Sequence, residues 1–269
     1  MELDHRQLEK IERAAWVDLH AAAPAALKAE YGLSCDAVGS GIRSLASGID
    51  VLAFNRTFGV GVDEPATERF MDETIERYRQ AEVPRFFVQV MPESSPRQLP
   101  HWLLRRGFAR HNNWVKLTRN VDPPVRAETT LRVALIGASE AHVFGTIAAS
   151  CFEWPQSCGD WVAATVGRPG WAHWMAYDKD HPVATAALFA DGEWAWMDLA
   201  ATLPEARSRG AQSALMGARI DQAKKMGCRY LVVETGEDTP ERPSRSFRNM
   251  QRLNFQVAYV RPNYLYHHA

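Results

Sequence analysis

The sequence predicts a mixed α/β protein built as two successive domains. Three observations carry that expectation: a length of 269 residues, a strand–turn–helix–strand run over residues 193–235, and a polar, proline-bearing break at residues 120–128. At roughly 150 residues per domain the chain suits two cores. Hydrophobic residues at 46% and charged residues at 23% are globular values and exclude disordered and fibrous classes. A net charge of −1 supplies no field for nucleic acid or an anionic membrane, so any anion site must be local.

Met1 to Arg6 runs into charge rather than an apolar leader, and no apolar run approaches the ~20 residues of a membrane span, so a cytoplasmic protein is expected. Cys35, Cys151, Cys158 and Cys228 form neither a Cys-x-x-Cys pair nor a set with paired histidines. That spacing argues against zinc and a disulfide framework and for buried thiols.

In the first half, Ile11, Ala14, Ala15, Leu19, Ala22 and Ala23 recur at helical spacing over residues 9–30, with a break near Pro24. Residues 38–62 alternate glycines with short apolar pieces such as Ile49 to Phe54, a pattern of strands and turns. Asp63 suits the cap of a helix running to Ala81, with Phe70, Ile75 and Tyr78 on its inner face. Residues 85–91 read as a strand, 96–106 as a helix and 108–117 as a strand pair. Asn120 to Glu128, with Pro123 and Pro124, reads as the linker, which puts the domains at 1–125 and 126–269.

In the second half a strand is expected over residues 130–136 and a helix from Ser139 to Ala149. Tryptophans then crowd among Gly159, Gly167, Pro169 and Gly170. In such a loop-rich segment Trp154, Trp161 and Trp171 can line an apolar pocket or simply plug the core, and both readings stand. Strands follow over 174–178, 182–189 and 193–202, the last feeding a turn that holds Arg207, Arg209 and Gly210. There the unpaired N–H groups of a helix start, its positive dipole end and two cations converge, a place for phosphate. Gly210 lets an anion approach the backbone, and Ala211 and Ser213 keep the next turn narrow. The helix carries Leu215 and Ala218 inward and ends at Lys224, Lys225 and Gly227 before the apolar strand Tyr230 to Thr235. A helix over 246–255 and closing strands over 257–266 complete the chain, with His267 and His268 as a tail.

The segment Leu199-Ala-Ala-Thr-Leu-Pro-Glu-Ala-Arg-Ser-Arg-Gly-Ala-Gln212 resembles the GNAT superfamily of acyl-CoA-dependent N-acetyltransferases, whose pyrophosphate loop reads Gln/Arg-x-x-Gly-x-Gly/Ala. Arg207, Gly210 and Pro204 match the family pattern. Gln212 stands in place of the small last residue, and its amide can itself donate to phosphate. Leu103-Leu-Arg-Arg-Gly-Phe108 and Met250-Gln-Arg-Leu-Asn-Phe255 are similar to the family's late helix, which closes with Gly-Phe; Asn254 replaces the glycine in the second copy. The resemblance implies two tandem GNAT-like domains, each with a mixed, mostly antiparallel central sheet flanked by helices. The first copy has Asp63 and Glu64 where cations belong, which marks it as degenerate, without acyl-CoA.

What the resemblance implies for function is acetyl transfer from acetyl-CoA to a primary amine, by direct attack in a ternary complex and without a metal. The acceptor is a small molecule or a peptide, and its identity and the oligomeric state stay open. Ala200, Ala201 and Thr202 match the strand that pairs with the pantetheine arm, and Arg207, Ser208, Arg209, Gly210, Ala211, Gln212 and Ser213 match the pyrophosphate loop. Ser246 and Asn249 reach the cofactor arm or merely cap the surface. Glu234 and Asp198 are the candidate bases, Glu234 first, because it ends the strand after the loop helix. The family's tyrosine acid falls at Met250 and its asparagine at Pro243, so the usual acid is missing. A non-catalytic acyl-CoA-binding or sensing module is the alternative.

Overall fold

The computed structural model of the protein describes residues 4–268; Met1 to Leu3, the first part of the charged start, lie outside them. α1 (His5–Ala22) begins at Asp4, whose carboxylate accepts the Arg6 N–H, and stops before Pro24, after which α2 (Ala25–Tyr31) runs as a separate piece. β1 (Leu33–Val38) and β2 (Gly41–Ala46) form a hairpin, and β3 (Arg56–Phe58) pairs with β2. The run from Ile49 to Phe54 is a tight turn rather than the expected strand: Phe54 and Asn55 both donate their N–H to Val51 O, and the Asn55 amide donates to Ala46 O and Ile49 O. α3 (Glu68–Gln80) starts at Thr67, later than expected, while Asp63 is held by Arg13 at 2.8 Å. β4 (Arg85–Gln89), α4 (Leu99–Arg105) and β5 (Ala109–Asn120) follow, β5 as one long strand instead of a pair.

The second half runs β6 (Arg132–Leu135), α5 (Ala141–Phe152), α6 (Gln156–Ala163), β7 (Trp171–Asp178), β8 (His181–Asp191), β9 (Trp194–Thr202), α7 (Ala211–Lys225), β10 (Tyr230–Gly236), α8 (Arg245–Arg252) and β11 (Gln256–His267). α6 occupies part of the segment expected as loop. Gly159 does not loosen that segment; it lets α6 lie directly on α5 at Gly145, where a Cβ on either glycine would come within 2.3–2.4 Å of the other's carbonyl oxygen. β11 is likewise one strand. His267 closes it opposite Arg85, and His268 donates its N–H to Pro84 O, so neither is a loose tail.

All the strands join one sheet of eleven, in the order β1-β2-β3-β4-β11-β5-β10-β9-β8-β7-β6. Its centre is an exchange. The unit β4–α4–β5 is matched by β10–α8–β11, but β5 pairs with β10 and β11 pairs with β4, so each half's last strand lies beside the other half's. Apolar burial follows the same plan. One cluster lies under the first half around Tyr78, Phe86 and Phe108, and one under the second around Leu215, Ile220 and Leu231. A third, beyond the two cores expected, joins Leu8, Trp16 and Phe54 of the first half to Trp161, Trp171 and Trp196 of the second.

Candidate active site

β9 and β10 pair in parallel only from Trp194↔Tyr230 to Met197↔Val233. Beyond that point β9 stays with β8 and β10 stays with β5, so the two strands splay, and Asp198 and Glu234 are the first residues on either side of the gap. A bulge in β9 widens it. Leu199 and Ala200 face the single residue Ala186, and Leu199 has φ +53°, a backbone that a leucine adopts only under constraint. The constraint comes from behind: Thr185 Oγ1 donates to Leu199 O at 3.1 Å, and the fully buried Arg219 of α7 donates to Ala187 O and Asp198 O at 3.1 and 3.3 Å. Burial lowers the Arg219 pKa to about 10, which leaves it charged at neutral pH.

A cavity of about 1080 Å³ fills the splay and runs out over the start of α7. Its walls include residues 200–202, 207, 208 and 210–213, together with Ser246 and Asn249 of α8. Between Arg207, which donates to Pro204 O, and Ala214, which donates to Gly210 O, the N–H groups of Ser208 to Ser213 meet no acceptor among the described residues. Those donors and the dipole end of α7 make an anion cradle. Arg209 is not part of it: its guanidinium is turned to Asp178 at 2.6 Å, outside the cavity. Gly210 serves the packing side of the loop. It has φ +80°, and a Cβ there would lie 2.6 Å from Glu128 O. Gln212 accepts a hydrogen bond from the Asn249 amide, which ties α7 to α8 across the cleft. Arg245, Arg248 and Arg252 of α8 add cations to the cavity wall that the sequence reading did not single out. Their i, i+3, i+7 spacing on a helix was the available signal. Met250, at the place of the family's tyrosine, also lines the cavity.

The inner end is aromatic and is built by both halves. Trp154 and Trp171 line it, with Trp16, Phe54 and Trp114 from the first half and Trp196 of β9. Trp161 does not reach it. Its ring is fully buried against Phe54 and His20, and its indole N–H donates to Leu19 O at 2.9 Å, so it is a core plug. The first-half residues carry no motif, and only the topology brings them here.

The two acids differ in their company. Asp198 lines the cavity, partly exposed, and accepts from the Trp196 indole at 3.1 Å and the Leu199 N–H at 2.7 Å, with no cation in ion-pair contact. Burial pushes its pKa up. Glu234 lies 2.5 Å from Arg261, 3.4 Å from Lys116 and 3.5 Å from Arg56. Burial pushes its carboxyl up as well, and Arg261 and Lys116 offset that only in part. These groups belong to a buried network in which Arg261 also binds Glu9 and Glu12, Arg56 binds Glu12 at 3.0 Å, Lys116 binds Glu12, and Tyr259 donates to Glu9 at 2.5 Å. Three carboxylates and three cations offset one another there, and Glu234 is one of the three. Burial opposes its ionisation, yet Arg261, Lys116 and Arg56 hold Glu12 well below the usual carboxylate range.

The matching turn of the first half is filled. Ser95 donates its N–H to Gly61 O and accepts from the Ala66 N–H, both at 2.7 Å, and a Cβ on Gly61 would meet Ser95 O at 2.4 Å. Ser95 thus sits against this turn and takes up the Ala66 N–H, a donor that an anion there would need.

The sheet, the bulged and splayed strands and the donor-rich helix start define the GNAT fold. Residues 144–247, within the second half of the chain, match the model of the acetyltransferase (GNAT) family. Over its length the protein is similar to a GCN5-related N-acetyltransferase from Kribbella flavida, at 19% identity and a TM-score of 0.62, covering 91% of this chain and 94% of that one. It is similar also to a tandem GNAT protein from the clavulanic acid biosynthesis pathway, at 13% identity and a TM-score of 0.60, covering 98% of this chain and 94% of that one. A GCN5-related N-acetyltransferase from Sphaerobacter thermophilus aligns at 14% identity and a TM-score of 0.60, over 74% of this chain and 67% of its own. No curated protein matches the sequence.

Proposed function

We propose that the protein is an N-acetyltransferase that moves an acetyl group from acetyl-CoA to a primary amine by direct attack, with the second half, residues 126–269, as the cofactor-binding domain and the first half, residues 1–125, as a wall of the acceptor site. The observation that carries this reading is the single cavity that joins the free N–H groups of Ser208 to Ser213 to an unpaired carboxylate, Asp198, at the head of the splay. The N–H groups, with Arg207 and Arg245, suit the phosphates, and Ala200 to Thr202 suit the arm, where small side chains admit a close neighbour.

An alkylammonium of pKa near ~10.4 must first lose a proton. Asp198 takes it, and its burial-raised pKa suits that role better than an ordinary exposed carboxylate. The neutral nitrogen then attacks the acetyl carbon: the C–N bond forms, the C–S bond breaks, and its electron pair leaves on sulfur. The nitrogen's second proton ends on that thiolate, and the proton on Asp198 returns to solvent. Asp198 therefore takes the role that sequence position alone gave first to Glu234. Glu234, held by three cations, is the less available base and anchors the network behind the gap.

Asp198→Asn should lower turnover roughly 10²–10⁴-fold while calorimetry finds acetyl-CoA affinity unchanged. The wild-type kcat/KM should rise with pH through a limb set by Asp198, displaced upward from the ordinary carboxylate range, and the variant should lack that limb. Normal turnover in Asp198→Asn with loss in a folded Glu234→Gln would return the role to Glu234. Met250 at the tyrosine's place favours a second reading, a binding module without turnover. Tight acetyl-CoA binding with no CoA thiol released to any amine would select it.

A further inference from the structure

The acceptor end of the cavity has a composition that narrows what can enter it. Aromatic side chains converge there from separate parts of the chain, among them Trp16, Phe54, Trp114, Trp154, Trp171 and Trp196. Phe54 stands edge-on to Trp154 at 4.9 Å, so a residue of the first half and one of the second make a continuous apolar wall. Such a wall favours a flat or bulky apolar body, and burying one is worth about 1.5–3 kcal/mol, or roughly 10–150-fold in affinity.

Charge narrows it further. Only two carboxylates line the cavity among the described residues, and Glu234 is matched by three cations whereas Asp198 has none. The inner end therefore holds one carboxylate free to receive an ammonium. Among the described residues it holds no cation free to receive an acid. Two arginines line that end among the described residues: Arg219 spends its nitrogens on the carbonyls of Leu215, Ala187 and Asp198, and Arg56 spends its terminal nitrogens on Glu12, Glu234 and Gln89, its guanidinium lying 4.2 and 4.5 Å from the rings of Trp16 and Phe58. The Arg56 Nε is without a hydrogen-bond partner, but one donor is not the paired fork that a carboxylate takes. Arg207, Arg245 and Arg252, which make no ion pair among the described residues, lie at the far, phosphate end, where Arg248 is held by Asp238 at 2.8 Å.

We propose that the acceptor is a primary amine on an aromatic body that bears no carboxylate, an arylalkylamine, seated between the two halves with its nitrogen at Asp198 and its ring among Phe54, Trp114 and Trp154. The proposal rests on the acetyltransferase reading above and adds the substrate class to it. The first half becomes the specificity wall of a reaction whose donor is held by the second.

The test uses the full chain, acetyl-CoA, and release of CoA thiol as readout, with 2-phenylethylamine, phenylalanine, ethanolamine and a lysine-bearing peptide as acceptors. The expected result is a kcat/KM for 2-phenylethylamine at least roughly 10-fold above each of the others. Phenylalanine is the sharpest comparison, because it keeps the ring and adds only the carboxylate. Trp114→Ala and Trp154→Ala, both at partly exposed positions, should raise the KM for 2-phenylethylamine severalfold and leave the acetyl-CoA affinity unchanged; Trp154→Phe should restore most of the loss. Equal or better turnover of phenylalanine, ethanolamine or the peptide overturns the arylalkylamine assignment and leaves the acetyltransferase standing. An unchanged KM in both folded alanine variants overturns the placement of the ring. A chain that does not bind acetyl-CoA overturns the acetyltransferase reading and this one with it.

Discussion

Arg207 and Arg209 are alike in the sequence and opposite in the structure. One lines the cavity; the other is turned to Asp178. Arg207→Gln should weaken acetyl-CoA binding by roughly 3–10-fold, more at low salt than at high, whereas Arg209→Gln should leave the affinity unchanged in calorimetry. The pattern of cations around Gly210 was legible as an anion site, but the direction of Arg209 was set by a partner 31 residues away. Arg219 was legible in principle, as an arginine one turn beyond Leu215 on an apolar helix face. Two histidines give the molecule a pH dependence of stability. Burial pulls His20 and His173 down to about 3, each hydrogen-bonded to a hydroxyl, Ser44 and Thr165, at 2.9 Å. The unfolded chain binds their protons first, so the stability they contribute is full above the ordinary histidine pKa and is lost as pH falls toward 3. Urea unfolding at pH 5 against pH 7 should give a loss of about 2 kcal/mol per histidine, and His173→Gln should remove its share of the slope.

Among the elements, β7 to β10 and α7 follow from alternation, helical spacing and caps, because local chemistry decides them. Two elements escaped for physical reasons. α6 carries glycine where a helix pays for it, and the compensation is a contact with Gly145 that only the folded chain provides. Gly159→Ala puts a methyl against a carbonyl that cannot swing aside, so α6 must move off α5; the expected cost is about 1–3 kcal/mol in urea unfolding, with a raised acceptor KM because Trp154 stands at the junction of the two helices. The bulge at Leu199 left no mark in the sequence, since a leucine rather than a glycine takes the positive φ and the tie to Arg219 and Thr185 holds it there.

For the molecule as a whole, the segment expected as a linker, near residue 125, lies between β5 and β6, yet β5 and β11 cross to the other half's strands. Spacing reveals strands but not their partners, so this exchange was beyond the reach of the sequence. Arg261 of β11 bridges Glu9 and Glu12 of α1 to Glu234 of β10, and Arg261→Met should cost about 3–5 kcal/mol by leaving buried carboxylates uncompensated, read as a lower urea midpoint of the full chain. The full chain should unfold in one calorimetric transition. Residues 1–125 expressed alone should not reach a folded monomer, because β4 then lacks β11 and Glu9 and Glu12 lack Arg261; a stable, cooperatively melting monomer of that fragment would refute the point. The exchange also orders events at the ribosome. β4 and β5 are made early, yet the strand that sits between them, β11, spans residues 256–267. The nascent chain therefore carries two open sheet edges through most of its synthesis, and its acceptor wall and its charged centre can form only after the last strand has emerged.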